Sequence, residues 1–158
     1  MTKAILCDFS RTLIFPKDQH YTGELNVLND TMKTQPDYRP EDYFELNKEM
    51  LDYLSQLKKK VPLYIYTTGI LQYEPVFYEV LNTVFKHIFT ESEIGYKKTD
   101  PRAFAKIANL IDIKTDELVF IDDNEVNLDA AAQAGVTTIK YTTAHADIEK
   151  LKSFTSEG

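Results

Sequence analysis

Four short, nearly continuous apolar runs, separated by stretches of helical periodicity, constrain this chain more than any other feature. The runs are residues 4–9, 63–66, 118–121 and 136–141, with a weaker fifth at 87–89. Apolar character without alternation suits strands covered on both faces. Between them, Tyr43, Leu46, Met50, Leu54 and Leu57 recur every three or four residues, and Pro40 suits the first turn of that helix. Asp100-Pro101 reads as an N-cap followed by a first helical residue, with Ala103, Phe104, Ile107 and Leu110 as the inner stripe. Asn124 reads as the cap of a helix through Leu128, Ala131 and Ala132 that stops at Gly135. A last helix spans residues 145–154, with a frayed end beyond it. Strands alternating with helices predict a doubly wound α/β fold around a parallel sheet. The 158 residues suit a single domain, 1–158. Segment 14–39 holds Pro16, Gly23 and Pro36 among mixed polar and aromatic residues, and reads as a small flap or cap inserted after the first strand.

Charge and cysteine content narrow the function classes. Eighteen Lys and Arg face 25 Asp and Glu, a net charge of -7, which argues against a nonspecific basic field for nucleic acid or an anionic membrane. The single cysteine, Cys7, excludes an internal disulfide. No run approaches the roughly 20 apolar residues of a membrane helix, and no secretory apolar region follows Met1-Thr2-Lys3. The expectation is a soluble, cytoplasmic protein.

Three of the strand candidates end in polar chemistry: Asp8-Phe9-Ser10-Arg11-Thr12, Thr67-Thr68-Gly69 and Asp122-Asp123-Asn124. In a doubly wound sheet the carboxyl ends of the strands line the ligand crevice, so these distant residues can converge, with Lys98 in a loop on the same side. Converging carboxylates repel unless a cation compensates. A hard divalent ion such as Mg²⁺ takes carboxylate, water and phosphate oxygens, while Lys and Thr side chains suit the remaining phosphate oxygens. The set reads as a phosphoryl-transfer site with an aspartate nucleophile. Either Thr67 or Thr68 can be the phosphate contact, with Thr67 favoured by position, and Lys97 competes with Lys98 as the site lysine.

The order and spacing of these residues resemble the haloacid dehalogenase (HAD) superfamily over most of the chain. Its first motif, an apolar strand followed by Asp-x-Asp-x-Thr, is matched by Asp8-Phe9-Ser10-Arg11-Thr12-Leu13. Its second, a Thr or Ser ending the next core strand, is matched by Thr67. Its third, a Lys ahead of an Asp-Pro helix start, is matched by Lys98 in Lys97-Lys98-Thr99-Asp100-Pro101. Its fourth, an acidic pair after a strand, is matched by Asp122-Asp123, with Asn127 and Gly135 following. The resemblance implies that Asp8 is the nucleophile that becomes a phosphoaspartate. It implies Mg²⁺ bound by Asp8, Asp122 and the Ser10 carbonyl, with Asp123 supporting the metal shell. Thr67 and Lys98 would hold phosphoryl oxygens, with Thr68 and Arg11 as further substrate contacts.

Ser10 departs from the family pattern, in which phosphatases usually carry an Asp two residues after the nucleophile as general acid and base. Such help is typically worth about 10²–10⁴-fold in rate. Ser10 therefore predicts a slow phosphatase, or one favouring good leaving groups. The alternative is a catalytically weakened protein of this fold that binds a phosphorylated ligand or a protein partner. A phospho-acceptor receiver domain shares the residue types but places the acidic pair on the first strand, the reverse of the order here. A cysteine phosphatase needs Arg six residues after the cysteine, where this chain has Leu13, and His20, His87 and His145 lack zinc-ligand spacing. Tyr21 and Tyr38, in the flap, are candidates for touching substrate. A flap this short leaves the site open to a small phosphate ester or to a phosphorylated macromolecule.

Overall fold

The computed structural model describes residues 1–155, so the expected frayed end at 156–158 lies outside the described residues. The strands in chain order are β1 (Ala4–Cys7), β2 (Ile14–Pro16), β3 (Phe44–Leu46), β4 (Leu63–Thr67), β5 (His87–Thr90), β6 (Leu118–Asp122) and β7 (Thr137–Lys140). The helices are α1 (Leu25–Met32), α2 (Lys48–Leu57), α3 (Pro75–Val84), α4 (Glu91–Ile94), α5 (Pro101–Leu110), α6 (Glu125–Gln133) and α7 (Ala144–Thr155). Five strands form one sheet in the order β5-β4-β1-β6-β7, every pair parallel. Among the described residues no helix is long and apolar enough to cross a membrane.

The unbroken apolar runs are explained by a core on each face of this sheet. From β1, Ile5 and Cys7 join one cluster with Ile65, Ile121, Met50 and Leu54 of α2, Leu81 of α3 and Leu151 of α7. Ala4 and Leu6 point the other way, into a cluster with Tyr66, Phe120, Phe104 and Ile107 of α5, and Ala131 of α6. Alternate residues of a strand face opposite sides, so a strand packed on both sides needs apolar residues at every position.

The helix boundaries differ from the sequence expectations in three places. The helix expected from Pro40 begins at Lys48. Pro40–Asp42 form a 3₁₀ turn, and Phe44–Leu46 are a strand pairing antiparallel with β2, Ile14 opposite Leu46 and Pro16 opposite Phe44. Asn47 starts α2 by accepting a hydrogen bond from the Met50 amide at 3.2 Å. Leu46 had kept the helical spacing by coincidence, and strand pairing overrode it. In α5, Asp100 caps as expected, but Leu110 is 55% exposed and Ala108 takes the inner place. In α6, Asn124 accepts from the Val126 and Asn127 amides, and Ala130 is buried where Ala132 was expected. That helix ends before Gly135, whose φ of 93° is a left-handed conformation suited to glycine. The ribbon of β2 and β3 carries the inserted segment to residue 46, with α1 between its strands.

Candidate active site

The sheet switches direction at β1. From there the chain moves outward through β4 to β5, then returns to β6 on the other side and moves out to β7. At such a point the loops after adjacent strands part and leave a crevice. Asp8 follows β1 directly, and its amide donates to the Ile121 carbonyl at 2.8 Å, extending the ladder with β6. Thr67 ends β4 and Asp122 ends β6. Lys98 enters from the loop between α4 and α5, where its amide donates to Glu91 Oε2 at 2.6 Å.

The Asp8, Lys98 and Asp122 side chains meet in a nearly dry setting, while Thr67 lies outside the lining of the cavity they adjoin. Asp8, Lys98 and Asp122 are 5%, 6% and 0% exposed. Lys98 Nζ donates a hydrogen bond to Asp8 Oδ1 and lies 3.2 Å from Asp122 Oδ2. The rings of Tyr66 and Phe120 flank that ammonium, with centroids 5.8 and 5.9 Å away. Lys97 is exposed, so Lys98 is the lysine that reaches the carboxylates. Asp122 is held from both sides: Oδ1 accepts from the Asn124 amide at 2.9 Å and Oδ2 from Asn127 Nδ2 at 3.0 Å. Thr12 Oγ1 lies 3.5 Å from Asp8 Oδ2.

One oxygen each from Asp8, Asp122 and Asp123 falls within 4.8 Å of the others. Two unit charges about 4 Å apart at an effective dielectric of about 20 repel by about 4 kcal/mol, so this grouping resists full ionisation. The Asp8 carboxyl is raised to about 8: burial pushes it up, the Lys98 ammonium pulls against that, and Asp122 and Asp123 add to the rise. Asp123 is raised to about 6 by burial and by Asp122. Burial also disfavours the Lys98 ammonium, but the charges and hydrogen bonds of Asp8 and Asp122 outweigh it and raise its pKa above the ordinary lysine value. Three carboxylates face one ammonium. Such an all-oxygen, anionic donor set fits a hard divalent cation, whose charge offsets the excess.

The crevice opens into a cavity of about 330 Å³, lined by Asp8, Ser10, Asn26, Thr68, Lys98 and Asp123 among others. Ser10 and Thr68 face it directly. Thr67 is 2% exposed, and its Oγ1 donates to the Thr68 carbonyl at 3.2 Å. Arg11 borders the cavity in a left-handed conformation, φ 59°. Its guanidinium donates to the carbonyls of Tyr21 (3.3 Å) and Gly23 (2.6 Å), tying down the flap. Neither flap tyrosine lines the cavity: the Tyr21 hydroxyl donates to the Glu24 carbonyl and that of Tyr38 to Asn29 Oδ1. Both are structural ties, which corrects their reading as substrate contacts. Two residues of the site had gone unnoticed. Glu91 carries a recognisable signal, because Thr90 caps the short helix it opens. Asn26 carries none, since an Asn in a polar segment is unremarkable until its partners are known.

A family model for haloacid dehalogenase-like hydrolases matches residues 3–135, a span that includes every residue of this site. The chain belongs to that family. Among curated relatives, it is 33% identical over 89 residues to enolase-phosphatase E1 of Persephonella marina, covering 54% of this chain and 39% of the relative. It is 31% identical over 123 residues to the enolase-phosphatase E1 of Aquifex aeolicus, covering 72% of this chain and 52% of the relative. The chain thus spans about half or less of the length of these relatives. A HAD family enzyme of Bacteroides thetaiotaomicron, solved in complex with magnesium and inorganic phosphate, superposes with a TM-score of 0.68 at 18% identity, covering 90% of this chain and 96% of that one. A HAD-superfamily hydrolase of Geobacter sulfurreducens gives 0.67 at 16% identity, covering 90% and 88%. At these identities the two structures speak for the fold.

Proposed function

We propose that this HAD-like hydrolase is a Mg²⁺-dependent phosphatase that works through an aspartyl phosphate on Asp8. The observation that carries this reading is the buried Asp8–Lys98–Asp122 constellation at the switch point of the sheet. Support comes from the enolase-phosphatase names of the curated relatives and from the magnesium and phosphate held by the Bacteroides enzyme.

In the first step an Asp8 carboxylate oxygen attacks phosphorus, forming an O–P bond while the bond to the leaving oxygen breaks. In the second, water attacks the same phosphorus, the Asp8–phosphorus bond breaks, and inorganic phosphate departs as the water proton passes to solvent. Lys98 offsets the charge on Asp8 and, with Thr67 and Thr68, holds the phosphoryl oxygens. Asp8, Asp122 and the Ser10 carbonyl would hold Mg²⁺, with Asp123 supporting its shell; the ion supplies positive charge that eases the approach of an anionic nucleophile to an anionic ester. Ser10 offers no carboxylic acid to protonate the leaving oxygen and no base for the water. Aryl and acyl phosphates, whose phenolate and carboxylate leaving groups depart without protonation, are therefore the favoured substrates. Segment 14–46 acts as a minimal cap.

The test is turnover of p-nitrophenyl phosphate against a sugar phosphate with Mg²⁺, using Asp8→Asn as the blank. Faster release from the aryl ester is expected, and a clear preference for the sugar phosphate overturns the leaving-group argument. Ser10 also favours a second reading, a weakly catalytic protein that binds a phosphorylated ligand. Mg²⁺-dependent beryllofluoride binding, with no turnover on a broad ester panel, would select it.

A further inference from the structure

We propose that Asn26 is a positioning residue for this site. It latches the flap onto the loop after β4 and thereby fixes the phosphate-holding threonines and limits the leaving group to small molecules. The proposal rests on the phosphoryl-transfer reading.

Asn26 lies in the first turn of α1 and lines the active-site cavity. Its Oδ1 accepts hydrogen bonds from the amides of Ile70 (3.1 Å) and Leu71 (3.0 Å), and its Nδ2 donates to the Thr68 carbonyl at 3.4 Å. One side chain of the flap therefore engages three backbone groups of a loop more than 40 residues away. The Thr68 carbonyl also accepts from Thr67 Oγ1, so the orientation of Thr67 and the seat of Asn26 share an atom. Gly69 completes the fit. Its φ is +68°, and a Cβ there would lie 2.3–2.5 Å from the amide atoms of Asn26. Only glycine lets the amide lie over that turn.

The rest of the flap is anchored independently. Arg11 holds the Tyr21 and Gly23 carbonyls, and Asn29 Nδ2 donates to Glu74 Oε1 at 3.3 Å. Loss of Asn26 should thus free the start of α1 from the loop after β4 while Gly23 stays held by Arg11. The start of α1 and Thr68 border a cavity of about 330 Å³ that opens to solvent, so releasing that border widens the mouth through which a leaving group projects.

Asn26→Ala and Asn26→Asp provide the test, with acetyl phosphate, p-nitrophenyl phosphate and a phosphotyrosyl peptide as substrates in Mg²⁺. In Asn26→Ala, KM for p-nitrophenyl phosphate should rise about tenfold while kcat changes less than about threefold, since one such hydrogen-bonded latch is worth about one decade. The peptide-to-acetyl-phosphate ratio of kcat/KM should rise by a similar factor. Asn26→Asp keeps the acceptor for both amides but loses the donor to the Thr68 carbonyl and adds a negative charge to the cavity, so its KM for the anionic esters should also rise while its amide latch holds. Hydrogen exchange at the Ile70 and Leu71 amides should quicken in the Ala variant and not in the Asp variant. Gly69→Ala should cost less in the Asn26→Ala background than alone, because the clash is gone. A merely structural Asn26 would lower Tm and leave KM and the substrate ratio as they were; that outcome, or unchanged exchange at Ile70 and Leu71, overturns the proposal. The exchange measurement needs no turnover. If wild type hydrolyses none of the three esters, the phosphoryl-transfer reading fails, and exchange alone still decides the latch.

Discussion

The rim of the sheet and the flap beside it are built in opposite ways, although only five residues separate Asp8 on one from Ile14 at the start of the other. The rim is rigid. Asp8 continues the β-ladder, Asp122 accepts hydrogen bonds from Asn124 and Asn127, and the buried charges are paired through Lys98. Between its two strands the flap has little core of its own: α1 buries only Leu25 and Asn29, and the ties of that stretch are side chains reaching backbone or one another. Groups that must meet a reacting phosphorus within a fraction of an ångström belong on strands packed from both sides. A segment held by individually replaceable hydrogen bonds is suited to choosing what enters. Changes on the rim should therefore act on kcat, and changes in the flap on KM, selectivity and local stability.

Asp8→Asn tests the rim most severely. Without a nucleophilic carboxylate, turnover of p-nitrophenyl phosphate should fall by at least about 10⁴-fold. Residual activity above a hundredth of wild type would remove Asp8 from the reaction. Ser10→Asp, on the same loop, should act in the other direction. It restores an acid and base and should raise kcat, or the decay rate of the phosphoenzyme, by about 10²–10⁴-fold. An unchanged or slower rate would show that this position does not handle the proton. Lys98→Met should lower kcat by about 10²–10³-fold. It should also enlarge the rise in Tm on adding Mg²⁺, because a more negative site binds the cation more tightly; an equal rise in both proteins would separate Lys98 from the carboxylates. Tyr38→Phe gives the flap's counterpart. It deletes the hydroxyl bonded to Asn29 and should cost about 1 kcal/mol, a fall in Tm of about 2–4 °C, with kcat unaltered. A kcat effect exceeding the stability effect would erase the division between the two regions.

What could be read from residues alone follows the same division. The five sheet strands were legible because burial on both faces demands apolar residues at every position, as in Ala4, Ile5, Leu6 and Cys7. The caps Asp100 and Asn124 were legible because capping is local, settled within three residues. In α3, Pro75 and the buried Phe77, Leu81 and Val84 carried the same kind of signal, although that helix had not been expected. The flap was legible as an inserted segment at 14–39, but its internal structure was not. Its β3 depends on pairing with β2 some 30 residues earlier, and the periodicity through Leu46 pointed to a helix instead. The helix α1 draws on few buried apolar contacts of its own, so no periodic stripe announced it.

The site divides likewise. Sequence alone determined which residue types stand at the strand ends, and so the family resemblance, because position along a strand dictates which loop a side chain enters. Tertiary structure decided that Lys98 rather than Lys97 reaches Asp8, that Arg11 is tied to flap carbonyls, and that Asn26 closes over Gly69. Each of those outcomes depends on a partner distant in the chain, and a hydrogen bond between remote segments leaves no pattern in either one.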